Sequence, residues 1–415
     1  MIDFCFDNLL PESFDGYYPN LIAPGSIQVQ VDQIAENQRP WELGAEYPFI
    51  DYCRLLDFMR EENLKFTVHS VKTAPNGSFY PIDITFFDHG TDYFGMMGDL
   101  ARERLQQRQI TVLFVYCEAD NPIKIQRKIY ELAGIHNINP LDVKFVSGVF
   151  VPDVLPDCMP ANFLFLDEGS IMYASGHREI YQEPLQWHDR PRSKKMTYLN
   201  RVHKSWRAFF AAWYWKQGYH HDSYFSYCNV DQSQDVSPLR DDVIKDTSWK
   251  VAVDDFLAAG PFYADSLTDK ERNYLGGRVD EHFADSYWNL SVETFLSLDG
   301  DFPGVFITEK TWKPIAQAQP FLVLGSPYTL ETLQNWGFKT FYAAGIDESY
   351  DCITNHTDRF LAVMKQVERI HAMSYEQLHQ FHLGVRGIVE HNQRLFWDLG
   401  PRVVQEFVRE LTNDR

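Results

Sequence analysis

The sequence predicts an α/β protein: two Rossmann-like domains facing a central cleft, followed by a helical C-terminal tail. Three observations carry this. The 415 residues exceed the size at which one hydrophobic core keeps growing, so two domains are expected. Short apolar runs alternate with segments of helical spacing on both sides of a polar, basic break near 185–194. That alternation implies parallel strands joined by crossover helices. Beyond residue 355 apolar positions recur at three and four, as in FLAVMKQVERI and VVQEFVREL, which is helical spacing.

The first domain is assigned to residues 1–190. Its opening stretch is rich in Pro, Asn and Gly and reads as loops around a short strand, GSIQVQV. YPFIDYCRLLDFMREEN then has helical spacing, LKFTVHSV reads as a strand, and ITVLFVYC is a continuous apolar run of the kind found in buried parallel strands. PIKIQRKIYELAGIH opens with Pro122 at a first helical position and ends near Gly134, before the strand DVKFVSG. The second domain, 195–345, restarts the rhythm with MTYLNR as strand, HKSWRAFFAAWYWKQG as helix and YFSYC as strand. It continues with YWNLSVETF as strand, TEKTWKPIAQA as helix, QPFLVLG as strand and YTLETLQNWG as helix. Residues 346–415 form the helical tail.

The net charge of −20 repels phosphate backbones, so a long nucleic-acid footprint is disfavoured though not excluded. The basic run Arg190 to Lys195 reads as a solvated linker that could also serve a small anion. Six cysteines without a C-x-x-C pair indicate neither a zinc site nor a disulfide framework. The N-terminus has acidic residues where a signal peptide is basic, and no apolar run approaches membrane length. These features predict a cytoplasmic protein without a membrane span, with the sequons at Asn289 and Asn355 unused. A P-loop and a strand-linked G-x-G-x-x-G are both missing, which argues against NTPase and dinucleotide chemistry. Asp299-Gly300-Asp301 could pass for a metal-binding D-x-D, but a Gly-centred acidic turn fits it as well. The histidines show no metal-ligand spacing.

Open parallel sheets bind ligands beyond the carboxyl ends of their strands. The loop after MTYLN offers Arg201, His203, Lys204 and Arg207, the last two near a helix start whose free N–H groups already favour anions. After YWNLSVETF comes a choice for Glu293 between a site carboxylate and an outward-facing strand residue. In VFITEKTWKPIAQAQPFLVLGS, Thr308 is an N-cap candidate, Glu309 lies in the first helical turn and Lys310 can reach over it. Such a carboxylate can accept ribose hydroxyls, and such an ammonium can neutralise a leaving diphosphate. A capped helix with ordinary surface charges is the plain alternative.

This segment resembles the sugar-nucleotide motif of the α-1,3-fucosyltransferase family, a Phe-Glu-Asn element, then Tyr-Val-Thr-Glu-Lys, a helix and an apolar strand ending in Gly. Here the counterparts are Val292-Glu293-Thr294, Phe306-Ile307-Thr308-Glu309-Lys310 and QPFLVLG ending at Gly325. A looser group of phage and marine-microbe glycosyltransferases carries a Thr-Glu-Lys-Thr-Trp-Lys-Pro version. The resemblance implies a GT-B fold and an inverting, metal-independent glycosyltransferase. Its co-substrate would be a nucleoside-diphosphate sugar, with no further cofactor, and its acceptor a glycan or other hydroxyl.

By this resemblance Glu309 holds the ribose and Lys310 the phosphate, while the pyrophosphate arginine falls on Arg207, with Arg201 as competitor. The patch FVYCEADNP resembles the acceptor-side strand and places the base at Glu118, with Asp120 and Asp88 as alternatives. Phe306 stands where the family has Tyr and can stack without donating a phenolic hydrogen bond. Thr294 replaces Asn, and Pro314 is expected to kink or restart its helix. These departures loosen the link to GDP-fucose as the donor. Two other readings stay open: a catalytically silent sugar-nucleotide or glycan-binding protein, and a transferase acting on modified bases of phage DNA. Hydrolysis of a sugar nucleotide without acceptor separates the first from an enzyme, and salt-sensitive DNA retention marks the second.

Overall fold

A computed structural model describes residues 2–7, 55, 56, 59, 64–84, 91–116, 121–150, 163–165, 186–202, 204–230, 247–264, 280–294, 296 and 304–413. The fold is mixed α/β with two separate parallel sheets. The chain divides into two compact units, Met1–Glu168 with Gly400–Arg415, and Gly169–Leu399.

The first unit contains a six-stranded sheet in the order β2-β1-β3-β4-β5-β6. Its strands are β1 (Ile2–Phe6), β2 (Phe66–Ser70), β3 (Ser78–Asp83), β4 (Ile110–Tyr116), β5 (Val143–Ser147) and β6 (Phe163–Phe165). Helices α1 (Tyr93–Met96) and α2 (Asp99–Gln106) connect β3 to β4, and α3 (Pro122–Ile135) connects β4 to β5. The apolar face of α3, with Ile125, Ile129 and Leu132, packs into a core shared with Tyr80, Ile82, Val112, Phe114 and Phe145. Asn121 is the N-cap of α3 and accepts from Ile123 N at 3.1 Å and Lys124 N at 3.2 Å. Pro122 therefore sits where its missing N–H costs nothing.

One central strand differs from the sequence expectation, and another contains a residue that local rules disfavour. The chain's first residues form β1, with Phe4, Cys5 and Phe6 fully buried, where the sequence reading placed loops. β3 contains Pro81, which argues against a central strand. Yet β3 pairs along its length with β4, while its pairing with β1 is at Phe4–Phe79, two residues before the proline. Where β1 ends, Asp7 Oδ2 accepts from Tyr80 Oη at 2.8 Å and from Gly98 N at 2.7 Å. A Cβ on Gly98 would lie 2.8 Å from the Asp7 carboxylate, so this junction requires glycine.

The second unit contains a four-stranded parallel sheet in the order β10-β9-β7-β8, formed by β7 (Lys194–Val202), β8 (Ser223–Val230), β9 (Ser286–Val292) and β10 (Phe321–Leu324). Helix α4 (Ser205–Lys216) joins β7 to β8. Helices α5 (Thr247–Ala259) and α6 (Asp280–Ala284) precede β9, α7 (Glu309–Ala316) joins β9 to β10, and α8 (Thr329–Asn335) follows. Ala208 to Tyr214 of α4 are all buried, and Phe210 and Tyr214 meet Tyr198 edge-on. Gly218 ends this helical stretch with φ of 76°, a backbone conformation that favours glycine.

The terminal region is helical as its periodicity predicts, but in three pieces: α9 (His356–Ala372), α10 (Tyr375–Gly384) and α11 (Arg386–Asn413). Asn355 caps α9 by accepting from Asp358 N, and Ser374 with Gln377 forms a capping box on α10. Among the described residues, no helix is long and apolar enough to cross a membrane. Asn289 lies buried in β9.

Candidate functional site

In the second sheet β7 has β8 on one side and β9 on the other. The connections leaving β7 and β9 therefore diverge, and the crevice between them is where open α/β sheets take ligands. The pairing of β7 with β8 also shifts register between Asn200 and Val202, a local irregularity of the kind that occurs beside functional sites. Among the described residues, Arg207, Glu293, Thr308, Glu309 and Lys310, all selected from the sequence, gather at this end of the sheet.

Arg207 lies in the first turn of α4, which opens without a capping side chain on Lys204, and it is 2% exposed. Its Nη2 donates to Thr294 Oγ1 at 3.0 Å, crossing from the β7 connection to the β9 connection. Trp206 makes the same crossing through Nε1, which donates to the Glu293 carbonyl at 3.3 Å. The Lys204 ammonium lies over the Trp206 ring, 5.3 Å from its centre.

From the other side, Lys310 Nζ donates to Thr294 Oγ1 at 3.1 Å, to Thr308 Oγ1 at 3.2 Å and to Glu309 Oε1 at 2.7 Å. A guanidinium and an ammonium thus converge on one neutral hydroxyl. Like charges that share one oxygen repel, a repulsion that the Glu309 carboxylate on Lys310 already offsets in part and that a bound anion relieves further.

Burial by itself pushes the Glu309 carboxyl up, but Lys310, Lys313 and Arg207 around it outweigh that and hold it at about 2. Burial lowers Arg207 and Lys313, and the Glu309 carboxylate opposes the fall in both. About a quarter of the Glu309 side chain and a fifth of the Lys310 side chain remain exposed, at 27% and 19%. The pair is open to a ligand while Arg207 behind it is not.

Glu293 has a different environment. It is the first residue beyond β9 and is fully buried, not outward-facing. Its Oε1 accepts from Thr308 N at 3.1 Å and Thr311 Oγ1 at 2.6 Å, and its Oε2 from Thr308 Oγ1 at 2.5 Å and Thr294 N at 3.2 Å. A carboxylate with four protein donors pins the start of α7 to the end of β9 and aims both threonines that hold Lys310. Gly325, just past β10, leaves the room: a Cβ there would stand 3.3 Å from Glu293 Cγ and 3.2 Å from Thr329 Oγ1. Thr308 is the N-cap of α7.

Phe306 and Arg201 are both half-buried. Arg201 lies in β7 where the register shifts, and its Nε is buried without a hydrogen-bond partner. Arg207, not Arg201, makes the bond to Thr294. Glu118, Asp120 and Asp88 fall outside the described residues, as do His203, Asp299 and Asp301. Thr294 as an acceptor for both cations, Thr311 and Lys313 join the site without having been singled out from the sequence. Thr311 follows the N-cap by three and Lys313 follows Glu309 by four, spacings that bring side chains together on a helix. Comparison with protein-family models, with curated proteins and with solved structures finds no match.

Proposed function

We propose that this chain is an inverting glycosyltransferase of the two-domain GT-B type, taking its sugar from a nucleoside-diphosphate donor held by the second unit. The observation that carries the reading is the convergence of Arg207 Nη2 and Lys310 Nζ on Thr294 Oγ1 at the switch point of a parallel sheet. The resemblance of the Thr308-Glu309-Lys310 segment to fucosyltransferase-like enzymes supports the same assignment. Glu309 takes the ribose hydroxyls, Lys310 meets the diphosphate directly, and the buried Arg207 adds its charge from behind through Thr294.

In the reaction an acceptor oxygen bonds to the anomeric carbon as the bond from that carbon to the phosphate oxygen breaks. The charge that builds on the leaving diphosphate falls on the two cations, which do the work a divalent metal does elsewhere. The acceptor proton passes to a carboxylate of the first unit, with Glu118 the first choice and Asp120 and Asp88 its competitors. Positioned base catalysis of this kind is worth about 100-fold to 10,000-fold. The test is release of nucleoside diphosphate from a set of donor sugars in excess chelator. Slow release without acceptor and faster release with a glycan are expected. No release from any donor sinks the enzymatic reading, and strict dependence on manganese or magnesium sinks the leaving-group assignment.

A further inference from the structure

A fixed Lys310 needs a fixed backbone, and the sequence removes the bond that ordinarily supplies it. In an α-helix the carbonyl of residue 310 accepts from the N–H of residue 314. That residue is Pro314, inside α7, and it has no N–H to give. The sequence therefore predicts a kink or a restart, yet α7 runs unbroken from Glu309 to Ala316. The released carbonyl is taken by another element: Ser291 Oγ of β9 donates to Lys310 O at 2.7 Å. Ser291 is 2% exposed. Its hydroxyl also stands 2.9 Å from Asn289 Oδ1, and its single proton is shared between the two, with the shorter contact to Lys310.

We propose that Ser291 is the positioning residue for Lys310: β9 grips the lysine's backbone through a carbonyl that Pro314 keeps out of the helical ladder. What Lys310 binds rests on the donor-site reading above, whereas how it is held rests on geometry alone. Both ends of the lysine are referred to one short stretch of chain. The backbone is tied to Ser291 and the ammonium to Thr294, three residues on. Such a clamp fixes the charge before a ligand arrives, so little ordering is left for the binding step.

Four proteins test the clamp: wild type, Ser291→Ala, Pro314→Ala and the double variant. Two readouts are needed. One is acylation of Lys310 by limiting acetic anhydride, followed by peptide mass spectrometry with exposed Lys128 as internal reference. The other is the dissociation constant for inorganic pyrophosphate by calorimetry.

Ser291→Ala should speed Lys310 acylation several-fold, leave Lys128 unchanged and weaken pyrophosphate about tenfold, the effect of losing one buried hydrogen bond. Pro314→Ala alone should stay near wild type. The double variant should return both readouts toward wild type, because the new N–H at 314 accepts the role of Ser291. If Ser291→Ala folds poorly, the double variant should fold and Ser291→Thr should behave as wild type. The clamp is wrong if Ser291→Ala folds with Lys310 acylation unchanged, or if adding Pro314→Ala rescues neither reactivity nor folding. Wild type that ignores pyrophosphate while acylation follows the predicted pattern refutes the donor site and leaves the clamp standing.

Discussion

Replacing Glu293 by glutamine changes one oxygen for an NH2 group in a fully buried position where four donors converge. Whichever way the amide turns, its nitrogen faces one threonine hydroxyl and one backbone N–H, either Thr311 Oγ1 with Thr308 N or Thr308 Oγ1 with Thr294 N. The hydroxyl can rotate and accept, but the N–H cannot. One orphaned buried donor costs about 1–3 kcal/mol, and the bonds that survive lose their charged acceptor, so a total of about 3–5 kcal/mol follows.

The loss should appear in urea unfolding followed by tryptophan fluorescence. That signal belongs almost wholly to the second unit, since every tryptophan except Trp41 lies within Gly169–Leu399. Because Thr294 and Thr308 aim Lys310, pyrophosphate affinity should fall in the same variant. A destabilisation below about 1 kcal/mol with an unchanged urea slope would refute the role of Glu293 as the pin.

Two other expectations concern the ligand and the proton. Lys310→Ala should slow transfer by about 100-fold to 1,000-fold, the effect of losing a contact that strengthens in the transition state, while Glu309→Ala should chiefly raise the donor KM. Unchanged nucleotide affinity in both variants would put the site elsewhere. As for pH, burial and then Lys195 hold His371 at about 3, and burial and then Arg192 hold His382 at about 4. Both stay neutral in the fold while their unfolded counterparts protonate. The stability they confer is present above about pH 6.5 and is lost as pH falls, by about 2 kcal/mol each between pH 7 and 5. Asp351, raised by burial to about 6, acts in the opposite sense, its contribution being present at acid pH and lost as pH rises through 6. It returns about 1 kcal/mol on the same descent. From these three groups a net loss of about 2–3 kcal/mol is expected, and urea unfolding of the second unit that shows a gain would overturn these assignments.

Where periodicity is long the sequence was legible. The buried strand ITVLFVYC became β4, and the Pro122 start and Gly134 finish bracket α3 within a residue or two. The five residues of β1 carry too little pattern, and the Pro81 of β3 signals against the strand that it joins, because only sheet neighbours decide whether a missing N–H matters. At the site, residue types and loop positions could be read for Arg207, Glu309 and Lys310. The hidden part was the tertiary bonding. A buried Glu293 looks like any strand carboxylate until Thr308 and Thr311 are placed on it. Pro314 looks like a helix breaker until Ser291 is seen taking the carbonyl it releases. Thr308 and Thr311 lie 15 and 18 residues from Glu293, and Ser291 lies 19 residues from Lys310, beyond any local spacing rule.

The most direct test of the donor-site account is a thermal-shift panel of nucleoside diphosphates and their sugars, run in parallel on wild type and Lys310→Ala. A ligand at 100-fold its dissociation constant stabilises a protein by about 2.7 kcal/mol, which a melting curve resolves. The account predicts that one base stands out, that its diphosphate raises the wild-type midpoint by several degrees, and that Lys310→Ala removes most of the shift. A panel in which no nucleotide moves the midpoint, or in which Lys310→Ala responds as wild type does, would contradict it.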